Sequence, residues 1–132
     1  MEVFVDTPAI FALLDMESDD HQSAILTWEN FLQEDAKLVT NNYVLVESFA
    51  LLQSRLGLSA IIQLQSKIVP FFDVEWINEQ QHFEVINQVL GANRRNLSLI
   101  DCSSFHTMRH RSIETAFTFD KHFKEQGFTV VP

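Results

Sequence analysis

The chain has 132 residues, 46% of them apolar, with three glycines and three prolines, which suits one globular domain burying roughly two thirds of its unfolded surface. It contains no run of about 18 apolar residues and no basic segment followed by an apolar one, so neither a membrane span nor a secretion signal is expected and cytoplasmic residence is the default. The single cysteine, Cys102, excludes an internal disulfide, and the net charge of -9 argues against an extended phosphate-binding surface.

Glu2-Val3-Phe4-Val5 is a β-prone start, and Asp6-Thr7-Pro8 follows it with a capping residue and a proline suited to a first helical turn. Ile10, Phe11, Leu13 and Leu14 make a short apolar helix. After the polar stretch Asp15 to Asp20, a second helix carries Ile25, Trp28, Phe31 and Leu32 on one face, and Trp28 and Phe31 read as core or interface residues. Lys37 to Thr40 is a second strand. Asn41-Asn42 then offers capping side chains for a helix running to Gly57, apolar nearly all round and therefore expected to be buried. Ser59 can cap a fourth helix that Pro70 stops, and Phe71 to Trp76 is a third strand. Residues 78–92 show Phe83, Ile86, Val89 and Leu90 at helical spacing, with Gly91 as the stop.

The most informative stretch is Ser98 to Phe123. Asp101 follows Leu99 and Ile100 and opens a segment with Cys102, Phe105 and Met108 on one helix face. Asp120 closes the β-prone run from Thr115 to Phe119 and precedes a short helical turn ended by Gly127. Phe128 to Val131 is a last strand. Strands alternating with helices predict a parallel sheet of four or five strands with helices on both sides.

Asp6, Asp101 and Asp120 each fit helix capping, and Ser98 with Asp101 fits a capping box. Read as three strand-to-helix joins, however, they gather at the carboxyl edge of a parallel sheet, where packed like charges need something positive among them. Glu47 lies in the apolar helix, where an unpaired carboxylate would cost several kcal/mol. It calls either for a salt bridge to Arg55 or Lys67 or for a cation shared with the aspartates. Four carboxylates point to a hard ion, Mg²⁺ or Mn²⁺, and to phosphodiester hydrolysis, since such ions polarise a phosphate and acidify a bound water.

Charge is unevenly placed. Residues 1–35 hold nine of the eighteen acids and no Lys or Arg, whereas Arg94, Arg95, Arg109, Arg111, Lys121 and Lys124 crowd near Asp101 and Asp120. Arg94, Arg95, Arg109 and Arg111 are the candidate contacts to nucleic-acid phosphates, with Arg109 alternatively pairing with Glu114. His122, beside Asp120, is either a local hydrogen-bond partner or a further RNA contact. Cys102, His106 and His110 recur every four residues; a buried cysteine with solvent-facing histidines is favoured over a thiol nucleophile or a zinc site.

Val3-Phe4-Val5-Asp6-Thr7, the helix bearing Glu47, Leu99-Ile100-Asp101-Cys102-Ser103-Ser104-Phe105 and Ala116-Phe117-Thr118-Phe119-Asp120-Lys121-His122-Phe123 together resemble the PIN-domain ribonucleases, particularly bacterial VapC-type toxins. The resemblance covers essentially the whole chain, as one PIN-like domain over residues 1–132. It implies a three-layer α/β/α fold with a mostly parallel central sheet. It also implies an acidic Mg²⁺ or Mn²⁺ site at Asp6, Glu47, Asp101 and Asp120, serving an endonuclease that prefers single-stranded RNA. A homodimer and a small antitoxin that covers the groove with a basic side chain are implied too. Pro8 and Ile100 depart from the family pattern without removing a metal ligand. The alternatives are a PIN-like module that binds RNA or a basic peptide without turnover, and a phosphoacceptor receiver fold. The latter lacks its second acid after the first strand and its lysine after the fifth.

Overall fold

A computed structural model describes all 132 residues. The β-prone segments become β1 (Glu2–Val5), β2 (Lys37–Asn41), β3 (Phe72–Glu75), β4 (Thr115–Phe117) and β5 (Thr129–Val131). They form one sheet in the order β3-β2-β1-β4-β5 with every neighbouring pair parallel, so the expected four or five mostly parallel strands resolve to five, all parallel.

Because side chains alternate along a strand, the register places Phe4, Val39, Asp73, Ala116 and Val130 on one face. That face is covered by α6 (Leu99–His110) and α7 (His122–Glu125): the ring of Phe123 lies 6.5 Å from Phe4 and 5.0 Å from Phe105. The opposite face meets α2 (His21–Gln33), with Trp28 edge-on to Phe72 at 6.1 Å and Phe31 edge-on to Phe117 at 5.7 Å. Trp28 and Phe31 are thus core residues in a three-layer α/β/α sandwich.

The remaining helices are α1 (Thr7–Leu14), α3 (Asn42–Leu56), α4 (Leu58–Gln63) and α5 (Glu79–Ala92). Three sequence expectations change here. First, α3 is not buried all round: Val44, Leu45, Ser48 and Leu52 form its buried stripe, while Val46 is 69% exposed and Glu47 only half-buried. The helix packs on α1, α4 and α6 and leaves Val46 facing solvent. Second, Ser59 caps nothing, since Gly57 at φ 89° separates α3 from α4, which starts at Leu58. Downstream, a π-helical turn at Leu64–Ile68 and a 3-10 turn at Val69–Phe71 carry the chain past Pro70 into β3. Third, Gly91 does not stop α5; the helix runs through it and ends on Asn93 in the left-handed region, φ 50°.

Buried Asn41 ties the layers together. Its Oδ1 accepts from the Val44 N–H at 2.9 Å and caps α3, while its Nδ2 donates to the Ser103 carbonyl at 3.2 Å and to Thr107 Oγ1 at 3.1 Å on α6. The middle of α6 is thereby tied to the end of β2.

Candidate metal centre

In the strand order β3-β2-β1-β4-β5 the chain leaves β1 toward one edge and later returns to β4 on β1's other side, which makes the β1/β4 boundary the switch point of the sheet. Loops leaving the carboxyl ends of β1 and β4 diverge there and open a crevice. Asp6 ends β1, and its backbone N–H continues the ladder by donating to the Phe117 carbonyl at 3.1 Å. By alternation from Phe4, its side chain turns to the α6 face. Asp120 follows β4 on the other bank. Asp101 comes from above, in the first turn of α6.

Capping explains only one of the three aspartates. Asp101 completes a capping box: its N–H donates to Ser98 Oγ at 3.0 Å, and its Oδ2 accepts from the Ser98 N–H at 3.1 Å. No strand precedes it, because Leu99 and Ile100 belong to α6 itself; only Asp6 and Asp120 stand at strand-to-helix joins. Asp6 occupies the cap position of α1 without a side-chain capping bond. Its Oδ2 accepts instead from the Thr118 hydroxyl at 3.0 Å, and the same Thr118 oxygen accepts the Asp120 backbone N–H at 3.1 Å. Asp120 Oδ1 in turn accepts the His122 backbone N–H at 2.9 Å.

His122 completes the cluster. Its Nδ1 lies 3.1 Å from Asp120 Oδ1 and 3.8 Å from Asp101 Oδ2, and ligand atoms of Asp101, Asp120 and His122 all fall within 4.8 Å of one another. That Nδ1 is buried and has no hydrogen-bond partner. Burial pushes the Asp6 carboxyl from 3.8 up to about 7, against the Thr7 amide and the Thr118 hydroxyl, with the charges of Asp101 and Asp120 adding to the rise. The Asp101 carboxyl is also raised, by burial first; the Ser98 backbone N–H pulls it down and the Asp120 charge pushes it up. Crowded carboxylates with raised proton affinity and an imidazole nitrogen lacking a partner form a donor set that suits a divalent cation.

Glu47 stands outside this cluster. It lines a neighbouring concavity with Thr7, Pro8, Asp20 and Arg55, one residue before Ser48, whose hydroxyl donates to Thr7 Oγ1 at 3.1 Å. Neither Arg55 nor Lys67 pairs with it; the Arg55 guanidinium lies 5.7 Å from the centre of the Phe11 ring instead. Being half-buried, Glu47 does not demand a cation on the desolvation grounds its sequence context suggests.

The arginines separate on folding. Arg94 pairs with Glu125 at 3.2 Å, and Arg109 donates to Gln126 Oε1 at 2.8 Å rather than pairing with Glu114, its guanidinium 5.4 Å from the centre of the Phe128 ring. Arg111 grips Glu75 and Asp73, each at 2.9 Å, beyond the far end of α6 from Asp101. These three have partners within the chain, whereas Arg95 is exposed with none. His106 is not solvent-facing: its side chain is 11% exposed and stacks on His110 at 6.2 Å, with Nε2 3.7 Å from Glu84. Cys102 is buried as expected, and burial pushes its thiol up. Thr118 went unremarked in the sequence because nothing local to Thr118-Phe119-Asp120 signals a partner at position 6.

A PIN-domain family model matches residues 3–128. The 23S rRNA-specific endonuclease VapC20 of Mycobacterium tuberculosis is 28% identical over 130 residues, covering 98% of this chain and 97% of that protein. The crystal structure of VapC20, described as a Sarcin-Ricin loop cleaving toxin, superposes with a TM-score of 0.87 at 27% identity, covering 98% of this chain and 99% of that one. FitAcB from Neisseria gonorrhoeae shares the fold, with a TM-score of 0.70 at 16% identity over 100% of this chain and 97% of that one.

Proposed function

Because this chain belongs to the PIN-domain family, we propose that it is a divalent-metal-dependent endoribonuclease and the toxin of a toxin-antitoxin pair. The observation that carries the reading is the convergence of Asp101, Asp120 and His122 within 4.8 Å at the sheet's switch point, beside buried Asp6. Asp6, Asp101 and Asp120 would hold Mg²⁺ or Mn²⁺, with His122 supplying a nitrogen ligand. Glu47 lies outside that cluster, in the neighbouring concavity lined by Thr7, and has no ion-pair partner; it is proposed as an outer carboxylate of the centre rather than one of its direct ligands. When bound, such an ion supplies Lewis-acid polarisation of the phosphate and a water acidic enough to attack it.

The chain's own groups prepare that centre. Thr118 fixes Asp6 relative to Asp120, and the Ser98 capping box fixes the carboxylate of Asp101. Exposed Arg95 lies next to Asn96, whose Nδ2 is 3.5 Å from His122 Nε2, and so offers a phosphate contact at the rim. VapC20, a 23S rRNA-specific endonuclease, supports RNA as the substrate class. A small antitoxin with a basic side chain in the crevice, a homodimer and a cytoplasmic setting complete the proposal; no helix is long and apolar enough to cross a membrane.

The test is cleavage of a mixed RNA substrate with Mg²⁺ or Mn²⁺, against EDTA and against Asp101→Asn and Asp120→Asn. Cleavage abolished by EDTA and by both substitutions supports the reading. Cleavage that survives either treatment, or RNA binding with no turnover even at high enzyme excess, contradicts it.

A further inference from the structure

The crevice does not end at Asp120. Thr118 and Asp120 are also walls of an adjoining concavity of about 230 Å³ whose other side is built from Phe119, Lys121 and Lys124. Both lysines are exposed, three residues apart on the α7 turn, and neither makes an ion pair. The acids nearest them in sequence are engaged elsewhere: Glu125 by Arg94, and Asp120 by the His122 backbone and the carboxylate cluster. In a chain of net charge -9, with Arg94, Arg109 and Arg111 tied to internal partners, this is a rare patch of uncompensated positive charge. Half-buried Phe119, its ring 6.5 Å from that of Phe117, holds a fixed aromatic wall beside it.

Two free ammonium groups, an aromatic face and a shared wall with the carboxylates are the elements of a single-stranded nucleotide subsite: cations track the backbone and a ring stacks the base. We propose that Lys121, Lys124 and Phe119 bind the nucleotide adjoining the scissile bond, the lysines on its phosphate and Phe119 against its base. The choice of RNA as occupant rests on the nuclease reading above. The subsite sets the RNA in register with Asp120, so its loss falls on substrate binding more than on the chemical step.

The experiment compares wild type, Lys121→Gln/Lys124→Gln, Phe119→Leu and the control Lys67→Gln, whose lysine is exposed on the turn after α4. Binding of a short fluorescent single-stranded RNA is followed by anisotropy in EDTA across a salt series, and cleavage of the same RNA is followed with Mn²⁺. The double variant should flatten the slope of log affinity against log salt by about 0.7, the share of the one single-strand phosphate that the two lysines neutralise. Its KM should rise about tenfold or more, and Phe119→Leu should weaken binding about tenfold with the salt slope intact. Lys67→Gln should match wild type. A double variant with wild-type slope and KM overturns the subsite while leaving the nuclease reading in place, and so does wild-type protein that binds no RNA. Lysine-dependent binding by a wild type that never cleaves supports the subsite and sinks the nuclease reading.

Discussion

The Thr118 hydroxyl donates a 3.0 Å hydrogen bond to Asp6 across 112 residues of sequence, and its oxygen accepts the Asp120 N–H at 3.1 Å. One side chain thus joins the acid that ends β1 to the acid that follows β4. Thr118→Val keeps the shape and removes both bonds. Cleavage by this variant should fall roughly 10- to 100-fold, the equivalent of losing a hydrogen bond to a charged group, whereas Thr118→Ser should stay near wild type. Parallel measurement of kcat/KM and Mn²⁺ affinity checks this; an unaffected valine variant would mean that Asp6 is placed without Thr118.

Asp6 links metal binding to stability. Its folded carboxyl titrates at about 7 against 3.8 for the free residue, so it holds its proton more tightly in the folded state. Its stabilising contribution is complete below about pH 4, declines as pH rises toward 7 and is gone above that. A rise of about 3 pH units corresponds to roughly 4 kcal/mol. In EDTA at pH 8, Asp6→Asn should therefore be more stable than wild type by a few kcal/mol, with a flatter pH dependence between 4 and 7, although it cleaves no RNA. Mn²⁺ should raise the melting temperature of wild type at pH 8 and leave that of the variant nearly unchanged. Urea unfolding at pH 5 and pH 8 reads this out; an Asn variant less stable than wild type at both would mean that the carboxylate serves the fold alone.

His122 faces the carboxylates of Asp120 and Asp101. His122→Ala should lower Mn²⁺ affinity about 10- to 100-fold by calorimetry, with little change in RNA binding measured in EDTA. The reverse pattern, intact metal affinity with weakened RNA binding, would return His122 to the role its neighbours in sequence suggest.

Arg111 is engaged within the chain. It bridges Asp73 and Glu75 at 2.9 Å each, and Glu75 already keeps one buried oxygen without a hydrogen bond. The Arg111 guanidinium, with Lys37 behind it, holds the Asp73 carboxyl below the usual range. Arg111→Met should destabilise the protein by about 1–3 kcal/mol in urea unfolding and leave the salt dependence of RNA binding as in wild type. Unchanged stability with weaker RNA binding would identify Arg111 as a phosphate contact after all.

Those residues mark what could be read from the sequence. Glu2–Val5, the Asn41 cap and the Ser98–Asp101 capping box were legible because each is a local pattern: a short run of β-prone apolar residues, or a side chain bonding a backbone group three residues away. The positions of Asp6 and Asp120 followed from the carboxyl-edge rule for parallel sheets, whereas Asp101, with no strand before it, reaches the crevice from the first turn of α6. The pairing of Arg111 was not legible because its partners lie 36 and 38 residues away on β3, and sequence proximity to Asp101 says nothing about which end of α6 a residue occupies. The half-burial of Glu47 was not legible because apolar Val46 and Leu51 beside it suggested a buried helix, whereas Val46 faces solvent. The aromatic wall at Phe119 and the two lysines needed the third dimension altogether.

The most direct test of the metal centre is a crystal soaked in Mn²⁺ and measured at a wavelength where manganese scatters anomalously. The account predicts that the strongest anomalous peak lies between the carboxylates of Asp101 and Asp120, against His122 and within reach of Asp6. No peak there, or a stronger one beside Glu75, Glu84 and His106, would contradict it.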